Sequence, residues 1–481
     1  MAISSIGIGS NLPVEEIITK FVAVEKQPLT NLQTKATLIT SKISAYGQIQ
    51  SLASSLNSAV TALSKAATWQ AVSVRSSDST AVTATASSTA PPAAGSYSLS
   101  VQQLARAQSA ASVPIAAGAP AGAGTLSIQL GTWTGTNFAP GTAGAVDVEV
   151  TDTDTLSTIA SKINAAGAGV TATVMSDASG QRLLLRSDAT GEASGFRIQV
   201  DEGVADDGDR ATGLSRLGFD FDGTTGWGLA VNTASTQYGA NAQATLNGVA
   251  VSSSTNTFAD LLPGLSITVA RETTTATELT VSRDTASMKT ALQGFVSAYN
   301  ALAAYLTTAT KYDASTETAS LLQGDSTAVG MQNSLRTVLG ALTSGGAFGR
   351  LSDIGIAMQT DGTLAIDSTK LDTALKDVAS MRNLFAVDNE GTANDGLALK
   401  LMELTSRLTG TEGAIANRTT ALQEEQKQNG KAQDKINDRA TRVEERLRKQ
   451  YTALDAKMAQ LTALDTYIQQ QVAQWNKSSS Q

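Results

Sequence analysis

The feature that most constrains this chain is a long apolar stripe near its C-terminus. Its members recur at steps of three and four residues, close to the 3.5-residue period of a coiled coil. They are Ile436, Ala440, Val443, Leu447, Tyr451, Leu454, Met458, Leu461, Leu464, Ile468, Val472 and Trp475. As one helix, residues 436–475 would span about 60 Å at 1.5 Å per residue. Because one helix cannot bury its own stripe, we expect the N-terminal helix, a second copy or another protein to cover it.

Nine residues of this stripe form the predicted interaction seam of the protein. They are Ile436, Val443, Leu447, Leu454, Met458, Leu461, Ile468, Val472 and Trp475. An intramolecular helical bundle that needs no partner is the alternative interpretation. The overlapping segment 431–450 carries seven Lys or Arg and four Asp or Glu residues. Such a segment is typical of a solvated helical face with ion pairs, or of a docking surface for an acidic partner.

The N-terminal region also predicts helices. Apolar residues between 12 and 24 follow a helical period, with Asn11 as a cap, and Pro28 is expected to end this helix or start a new one. A second apolar stripe runs from Leu32 to Leu63, and Gly47 within it allows a bend. Both ends of the chain are therefore predicted to be helical.

The middle of the chain predicts strands instead. Alternating apolar and polar residues rich in Val and Thr begin near Trp69 and recur to about residue 281. One short helix interrupts them, with Asp154 as its predicted cap. The helical period returns after Asp284, with a predicted break at 410–413.

These patterns predict an α+β multidomain fold, in which a terminal α-helical coiled-coil or bundle region carries an inserted β-rich, sandwich-like central block. The predicted domains are terminal coiled-coil legs (1–45 plus 432–481), a helical domain (46–70 plus 285–431), a β-rich domain (71–110 plus 235–284) and an outer β-rich domain (111–234).

Two absences from the composition restrict the chemistry. The chain has no Cys and no His, which excludes thiolate nucleophiles, Ser–His–Asp triads and imidazole metal ligands. Asp206–Asp209 and Asp220–Gly223 contain fragments of a calcium loop without its full ligand spacing, and Gly7-Ile8-Gly9 lacks the third glycine of a dinucleotide fingerprint. We therefore predict no catalytic, cofactor-binding or metal site, and no enzyme.

Charge and hydropathy restrict the partners. The 35 Lys and Arg against 43 Asp and Glu give a net charge of −8, which disfavours nucleic-acid binding. No apolar stretch approaches the 18 residues that suggest a membrane span, so no membrane insertion is expected. The N-terminus does not have the pattern of a secretory signal peptide, so export would require another route.

Several ordered motifs resemble one family. They are GIGSNL near the start, EKQPLTNLQTKATLITSKISAYGQIQSL, AAGSYSLSVQQLARAQSAAS, DTLSTIASKINAAGAGVTATV, LNGVAVSSSTNTFADLLPGLSITV, FVSAYNAL, LSDIGIAMQTDGTLAID and ALDAKMAQLTALDTYIQQQ. Together they resemble the bacterial flagellar filament cap (hook-associated protein 2) family across essentially the whole chain. The fourth motif is similar to a repeat shared with flagellins, centred on Ile163-Asn164. One departure is Asn11-Leu12-Pro13, where the family usually has Gly-Leu-Asp.

The resemblance implies a structural cap at the distal end of the flagellar filament. It implies a closed homo-oligomer, of four to six subunits, that retains exported flagellin and promotes its ordered polymerisation. The implied partners are the chain itself, flagellin, the hook-associated junction protein and, before secretion, an export chaperone. The implied location is extracellular, at the flagellum tip, after type III export without a cleaved signal peptide. Cell adhesion through the outer domain is a property of some family members.

Two other functions remain open from the sequence. Another flagellar axial protein, either a junction protein or a flagellin, would also have helical ends and a β-rich middle. A cell-wall hydrolase would have to work with carboxylates alone.

Overall fold

The structure is a computed structural model that describes residues 13–203, 209–343, 346–389 and 395–478. The chain divides into two compact units. One comprises Met1–Trp69 and Ala286–Gln481, and the other comprises Gln70–Thr285. The chain thus leaves the first unit once, forms the second, and returns.

Helices dominate the first unit. The α-helices of the described residues are α1 Val14–Ser64, α2 Ala66–Gln70, α3 Leu156–Ala166, α4 Thr285–Thr310, α5 Ser326–Gly340, α6 Ser368–Ala374, α7 Val378–Ala386, α8 Leu397–Thr409 and α9 Ala414–Ser478. Only α3 lies wholly within the second unit.

Strands dominate the second unit. In chain order the strands are β1 Val72–Ser76, β2 Val82–Ala86, β3 Gly95–Gln103, β4 Ser109–Ala111, β5 Gly124–Thr134, β6 Asn137–Pro140, β7 Val146–Val150, β8 Val170–Asp177, β9 Gly180–Ser187, β10 Gly195–Asp201, β11 Phe219–Asp222, β12 Thr225–Gly228, β13 Ala242–Leu246, β14 Val249–Ser253, β15 Thr257–Leu262, β16 Leu265–Val269, β17 Thr277–Arg283, β18 Tyr312–Asp313, β19 Thr318–Ala319, β20 Ile356–Met358 and β21 Leu364–Ile366. The last four form two short hairpins in the first unit.

The core of the first unit is a helical bundle built on the C-terminal half of α1. The apolar stripe of α1 is buried from Ile39 to Leu63, in one core with residues of α4, α5, α7 and α8. Trp69 stacks on Phe385 with ring centroids 5.5 Å apart, and its indole Nε1 donates a hydrogen bond to the Leu63 carbonyl. The stripe spacing that predicted a helix therefore also marks the face that packs.

The prediction that Pro28 ends the first helix is wrong. Helix α1 continues without interruption from Val14 to Ser64, with Pro28 inside it. A proline removes one backbone donor and crowds the preceding turn. Here α9 lies antiparallel along α1, as three ion pairs described below show, and this packing supports the helix on both sides of the proline. The predicted cap, Asn11, lies outside the described residues.

The described residues of the second unit form two apolar cores. The first lies between a five-stranded antiparallel sheet, in the order β1-β17-β3-β13-β14, and a three-stranded sheet, in the order β15-β16-β2. Strands β13 and β14 are joined by a two-residue turn at Asn247 and Gly248, whose φ angles are 49° and 83°. Asn-Gly is the favoured pair for such a turn because both positions require positive φ.

The second of these cores lies among a larger sheet, a smaller sheet and α3. The larger sheet has the order β12-β11-β10-β5-β6, with β7 also paired to β5, and the smaller has the order β4-β9-β8. Asp154 is not the cap of α3, which begins after Thr155 without a side-chain cap. The Asp154 carboxylate instead accepts hydrogen bonds from the Thr151 backbone and from Lys162, at 2.7 and 2.5 Å.

Aromatic residues that are scattered in the sequence meet in the second unit. Trp133 contacts Phe138, Phe219, Phe221 and Tyr238, with ring centroids 4.9 to 6.4 Å apart. Its indole nitrogen donates to the Phe196 carbonyl at 2.9 Å. Their positions along the chain do not indicate this grouping, because the rings come together only through strand pairing.

The predicted fold class is confirmed: long terminal helices enclose a strand-rich central region along the chain. The break at 410–413 is also confirmed, since α8 ends at Thr409 and α9 begins at Ala414. The division into four domains with the stated boundaries stays a prediction. None of the described helices combines the length and the hydropathy that a membrane span requires.

Candidate functional site

The predicted seam lies on α9, and α1 covers only its first part. Ala440 is fully buried, and Ile436, Val443 and Leu447 are half-buried. The described part of α1 begins at Val14, level with Arg448, because Glu15 forms an ion pair with Arg448 at 2.6 Å. The covered part of the seam therefore ends where the described part of α1 ends.

Beyond Tyr451 the seam is exposed in the single chain. Leu454, Met458, Leu461, Ile468, Val472 and Trp475 are all exposed, with Leu461 at 58% and Trp475 at 77% of full exposure. Residues 454–475 extend over about 32 Å at 1.5 Å per residue. Exposed apolar stripes of this length are typical of surfaces for association, so this part of the predicted seam stays a candidate interaction surface. We name residues 454–475 the exposed seam.

The exposed seam differs from the preceding segment in charge. From Tyr451 to Asn476 the charged residues are Asp455, Lys457 and Asp465, whereas 431–450 carries eleven charges. The flanking positions are mostly Gln, Thr and Ala. Charged flanking residues direct partner choice in coiled coils, and the exposed seam has few of them.

Ion pairs align α1 with α9 below the exposed seam. Glu15 pairs with Arg448, Glu25 with Arg439, and Lys35 with Glu425 at 2.8 Å. The residue numbers rise on one helix as they fall on the other, so the helices run antiparallel. Two of the seven cations of 431–450 thus bind glutamates of α1. The alternative, a docking surface for an acidic partner, stays a prediction.

A buried polar cluster anchors both terminal helices in the bundle. The Tyr46 hydroxyl on α1 donates to Asp325 Oδ1 at 2.6 Å, and Arg418 on α9 donates to Asp325 Oδ2 through two nitrogens at 3.1 and 2.8 Å. Asp325 also caps α5 by accepting from the backbone nitrogens of Thr327 and Ala328. One carboxylate therefore joins three helices.

The electrostatics of this cluster follow from its hydrogen bonds. Burial alone would raise the pKa of Asp325, but hydrogen bonds from Tyr46 and Arg418 outweigh burial and lower it. Burial, together with the adjacent carboxylate, raises the pKa of Tyr46 far above its usual value. Burial would lower the pKa of Arg418, but its bond to Asp325 raises it. The ionised Asp325–Arg418 pair is thus the stable form at neutral pH.

No pattern in the sequence predicts this cluster. The only local signal is Asp325 before Ser-Thr-Ala, which is typical of a helix N-cap. Its partners lie 279 and 93 positions away along the chain, so periodicity cannot connect them.

The candidate metal and cofactor motifs of the sequence can be followed only in part in the structure. Among the described residues, no group of three His, Cys, Asp or Glu side chains is placed to hold a metal ion. Asp154 is paired with Lys162. Gly7-Ile8-Gly9 and most of the loop at 206–209 lie outside the described residues.

Comparison with known proteins identifies relatives along most of the chain. Family models described as flagellar hook-associated protein 2 N-terminus and C-terminus match residues 10–108 and 239–463. A model described as flagellin hook IN motif matches residues 125–189, which confirms the predicted repeat shared with flagellins.

Individual relatives match nearly end to end. The B-type flagellar hook-associated protein 2 of Pseudomonas aeruginosa is 32% identical over 96% of both chains. The flagellar hook-associated protein 2 of Escherichia coli K12 is 32% identical over 98% of both chains. The crystal structure of the D1-D2-D3 domains of the flagellar cap protein FliD from Escherichia coli is also similar. It covers 79% of this chain and 99% of its own, with a TM-score of 0.60 and 29% identity.

Identity, coverage and fold agree with the ordered motifs of the sequence. The chain belongs to the flagellar hook-associated protein 2 family.

Proposed function

We propose that this chain is the structural cap at the distal end of a bacterial flagellar filament. In this role it forms a closed homo-oligomer, of four to six subunits, that retains exported flagellin and promotes its ordered polymerisation. The observation that carries the proposal is the exposed seam, an apolar surface of about 32 Å on a chain whose relatives are named hook-associated and cap proteins. The role is structural, and no catalysis is expected.

Closure is the physical requirement of a cap. Head-to-tail contacts give a ring when the rotation between subunits closes and an open filament when it does not. We assign closure to the domains between about 46 and 110 and between 235 and 430. We assign contact with the filament to the terminal legs, residues 1–45 and 432–481, because the seam is longest there.

The partners of this role are the chain itself, flagellin and the hook-associated junction protein. An export chaperone would cover the apolar seam before secretion. The protein would then act outside the cell at the flagellum tip, after export without a cleaved signal peptide. The nine residues of the predicted seam are the proposed contacts.

Truncation tests this division of roles. A variant that lacks 436–481 should still form closed oligomers in light scattering but should not support filament growth. A matched truncation that lacks only 476–481 keeps the whole seam and should support growth.

Three outcomes would contradict the proposal. Loss of oligomers in the longer truncation would show that the seam itself sets closure. Unlimited polymerisation of the full chain would favour a flagellin-like axial protein. Release of cell-wall fragments by the purified protein would favour a hydrolase.

A further inference from the structure

One buried amide interrupts the apolar series by which α9 faces α1. At seven-residue spacing the series reads Ile415, Leu422, Asn429, Ile436 and Val443. Asn429 is only 5% exposed. Its Oδ1 accepts a hydrogen bond from Gln433 Nε2 at 2.6 Å, but its Nδ2 has no hydrogen-bond partner in the described part of the chain. A buried donor without a partner destabilises the packing around it.

The next residue adds a second weakness. Gly430 lies within α9, where glycine is less favourable than alanine because it loses more backbone freedom on folding. A methyl group at this position would meet no atom within 4 Å. No close approach of another segment therefore requires glycine here.

Helix α1 also lacks a stabilising interaction, at a position along the helix pair close to Asn429. Pro28 has no N–H to donate to the Val24 carbonyl, so α1 lacks one backbone hydrogen bond there. Glu25 pairs with Arg439, and the Leu32 carbonyl accepts from Gln433 at 3.5 Å. Pro28 thus lies level with residues 433–439, within about two to three helical turns of Asn429.

Register selection does not explain the asparagine. A buried Asn commonly fixes the register of paired helices. Here Tyr46 and Arg418 bind the same carboxylate, that of Asp325, so both helices are already aligned at the bundle. The ion pairs of Glu15 and Glu25 with α9 repeat that alignment farther out. The amide is redundant for register and contributes only weakness.

We propose that Pro28, Asn429 and Gly430 form a built-in break in the terminal helix pair. Residues 14–27 and 433–451 separate from each other by local opening while the bundle stays folded. Opening would free the covered part of the seam, so that a neighbour could bind the seam from 436 to 475 as one surface. The break is a property of the single chain, and only its purpose rests on the proposed function.

Hydrogen exchange of the full-length, unassembled protein tests the break. The variant Asn429→Leu with Gly430→Ala removes the unpaired amide and the glycine together. Amide exchange in 14–27 and 433–451 should slow by at least about tenfold, and exchange in the bundle segment 46–63 should stay within about twofold. Pro28→Ala alone, which restores the missing donor, should also slow exchange in 14–27.

Two matched controls separate the break from general helix strengthening. Asn437→Leu makes the same substitution at an exposed position of α9. Gly47→Ala adds the same methyl group at a glycine of α1 that lies in the bundle and has open space around it. Each should change exchange in 433–451 by less than about twofold.

The proposal is wrong if the double variant leaves exchange of 433–451 unchanged, or if Asn437→Leu slows it equally. Asn429→Val is the second variant, in case leucine does not fit. If both Leu and Val at 429 accelerate exchange, the amide stabilises the pair and the proposal is also wrong. These results do not depend on whether the chain caps a filament, which the truncations test separately.

Discussion

Helices α8 and α9 carry similar leucine patterns with opposite fates. Leu397, Leu401, Leu404 and Leu408 on α8 are all buried, whereas Leu454, Leu461 and Leu464 on α9 are exposed. Residue type and spacing of three, four or seven are shared, and only the neighbours differ. Burying a leucine side chain stabilises a protein by about 2 kcal/mol. The leucines of α8 contribute this stabilisation within one chain, whereas those of the exposed seam would contribute it only if a partner covered them. The same leucine spacing therefore predicts a helix in both places, but it does not predict whether the leucines are buried within the chain.

The largest difference should appear between two tryptophans. Trp69→Ala removes a ring that is 1% exposed and stacked on Phe385, so the free energy of unfolding should fall by about 4 kcal/mol. Trp475→Ala removes a ring that is 77% exposed, so it should change the free energy of unfolding by less than about 0.5 kcal/mol. Urea denaturation of both variants measures the contrast. Equal losses would mean that the exposed seam is covered in the single chain.

A substitution in the buried polar cluster of Tyr46, Asp325 and Arg418 should have the next largest effect. Asp325→Asn leaves Arg418 without its ionised partner, so the bundle should lose about 3 kcal/mol at pH 7. Because folding lowers the pKa of Asp325, its carboxylate stabilises the fold above the unfolded pKa of about 3.9, and this stabilisation is lost as pH falls through the lower folded value. The difference between wild type and variant should therefore be constant from about pH 5 to 8 and shrink below about pH 4.

A second helix cap provides the control for this pH dependence. Asp367 caps α6 by accepting from the backbone nitrogens of Thr369 and Lys370, and it is exposed. Asp367→Asn keeps an efficient cap and should lose less than about 0.5 kcal/mol. A loss similar to that of Asp325→Asn would show that capping, and not the pair with Arg418, dominates.

A gain in stability should follow from one glycine of the bundle. Gly47 lies within α1, and an added methyl group would meet no atom within 4 Å. Gly47→Ala should therefore raise the free energy of unfolding by about 1 kcal/mol, measured by thermal denaturation. Gly396→Ala is the opposite control, because its methyl group would clash with the Phe385 carbonyl. Destabilisation by Gly47→Ala would indicate that the bundle needs the glycine.

The smallest effect on stability is expected within the exposed seam. Leu461→Gln should change the free energy of unfolding by less than about 0.5 kcal/mol, because Leu461 is already exposed in the single chain. It should nevertheless impair filament growth in cells. Ala459→Gln adds a similar amide on the opposite side of α9, where it should leave growth intact. If both variants grow filaments normally, the exposed seam has no partner at Leu461.

Local patterns predicted elements better than they predicted contacts. The strand-rich stretch predicted from near Trp69 to about residue 281 begins with β1 at Val72 and ends with β17 at Arg283, because alternation is a property of neighbouring residues. Pro28 misled the prediction because support from α9 comes from about 400 positions away. The prediction that Asp154 caps α3 was wrong for the same kind of reason, because its carboxylate accepts a hydrogen bond from Lys162 instead of capping the helix.

The candidate site also has features that local sequence patterns predict and features that depend on distant contacts. The apolar stripe on α9 follows from one helix period, whereas its role as an interaction seam stays a prediction. The cluster of Tyr46, Asp325 and Arg418 was not predictable, because each is an ordinary helix residue until the bundle brings the three together. The unpaired amide of Asn429 became visible only with its burial.

The position of Trp475 gives this chain an optical reporter. Trp69, Trp133 and Trp227 are packed within the two units, while Trp475, near the far end of α9, is 77% exposed. An indole that moves from water into an apolar contact shifts its emission to shorter wavelength. Docking of the helix tip would thus change the intrinsic fluorescence through a single residue, without any added dye.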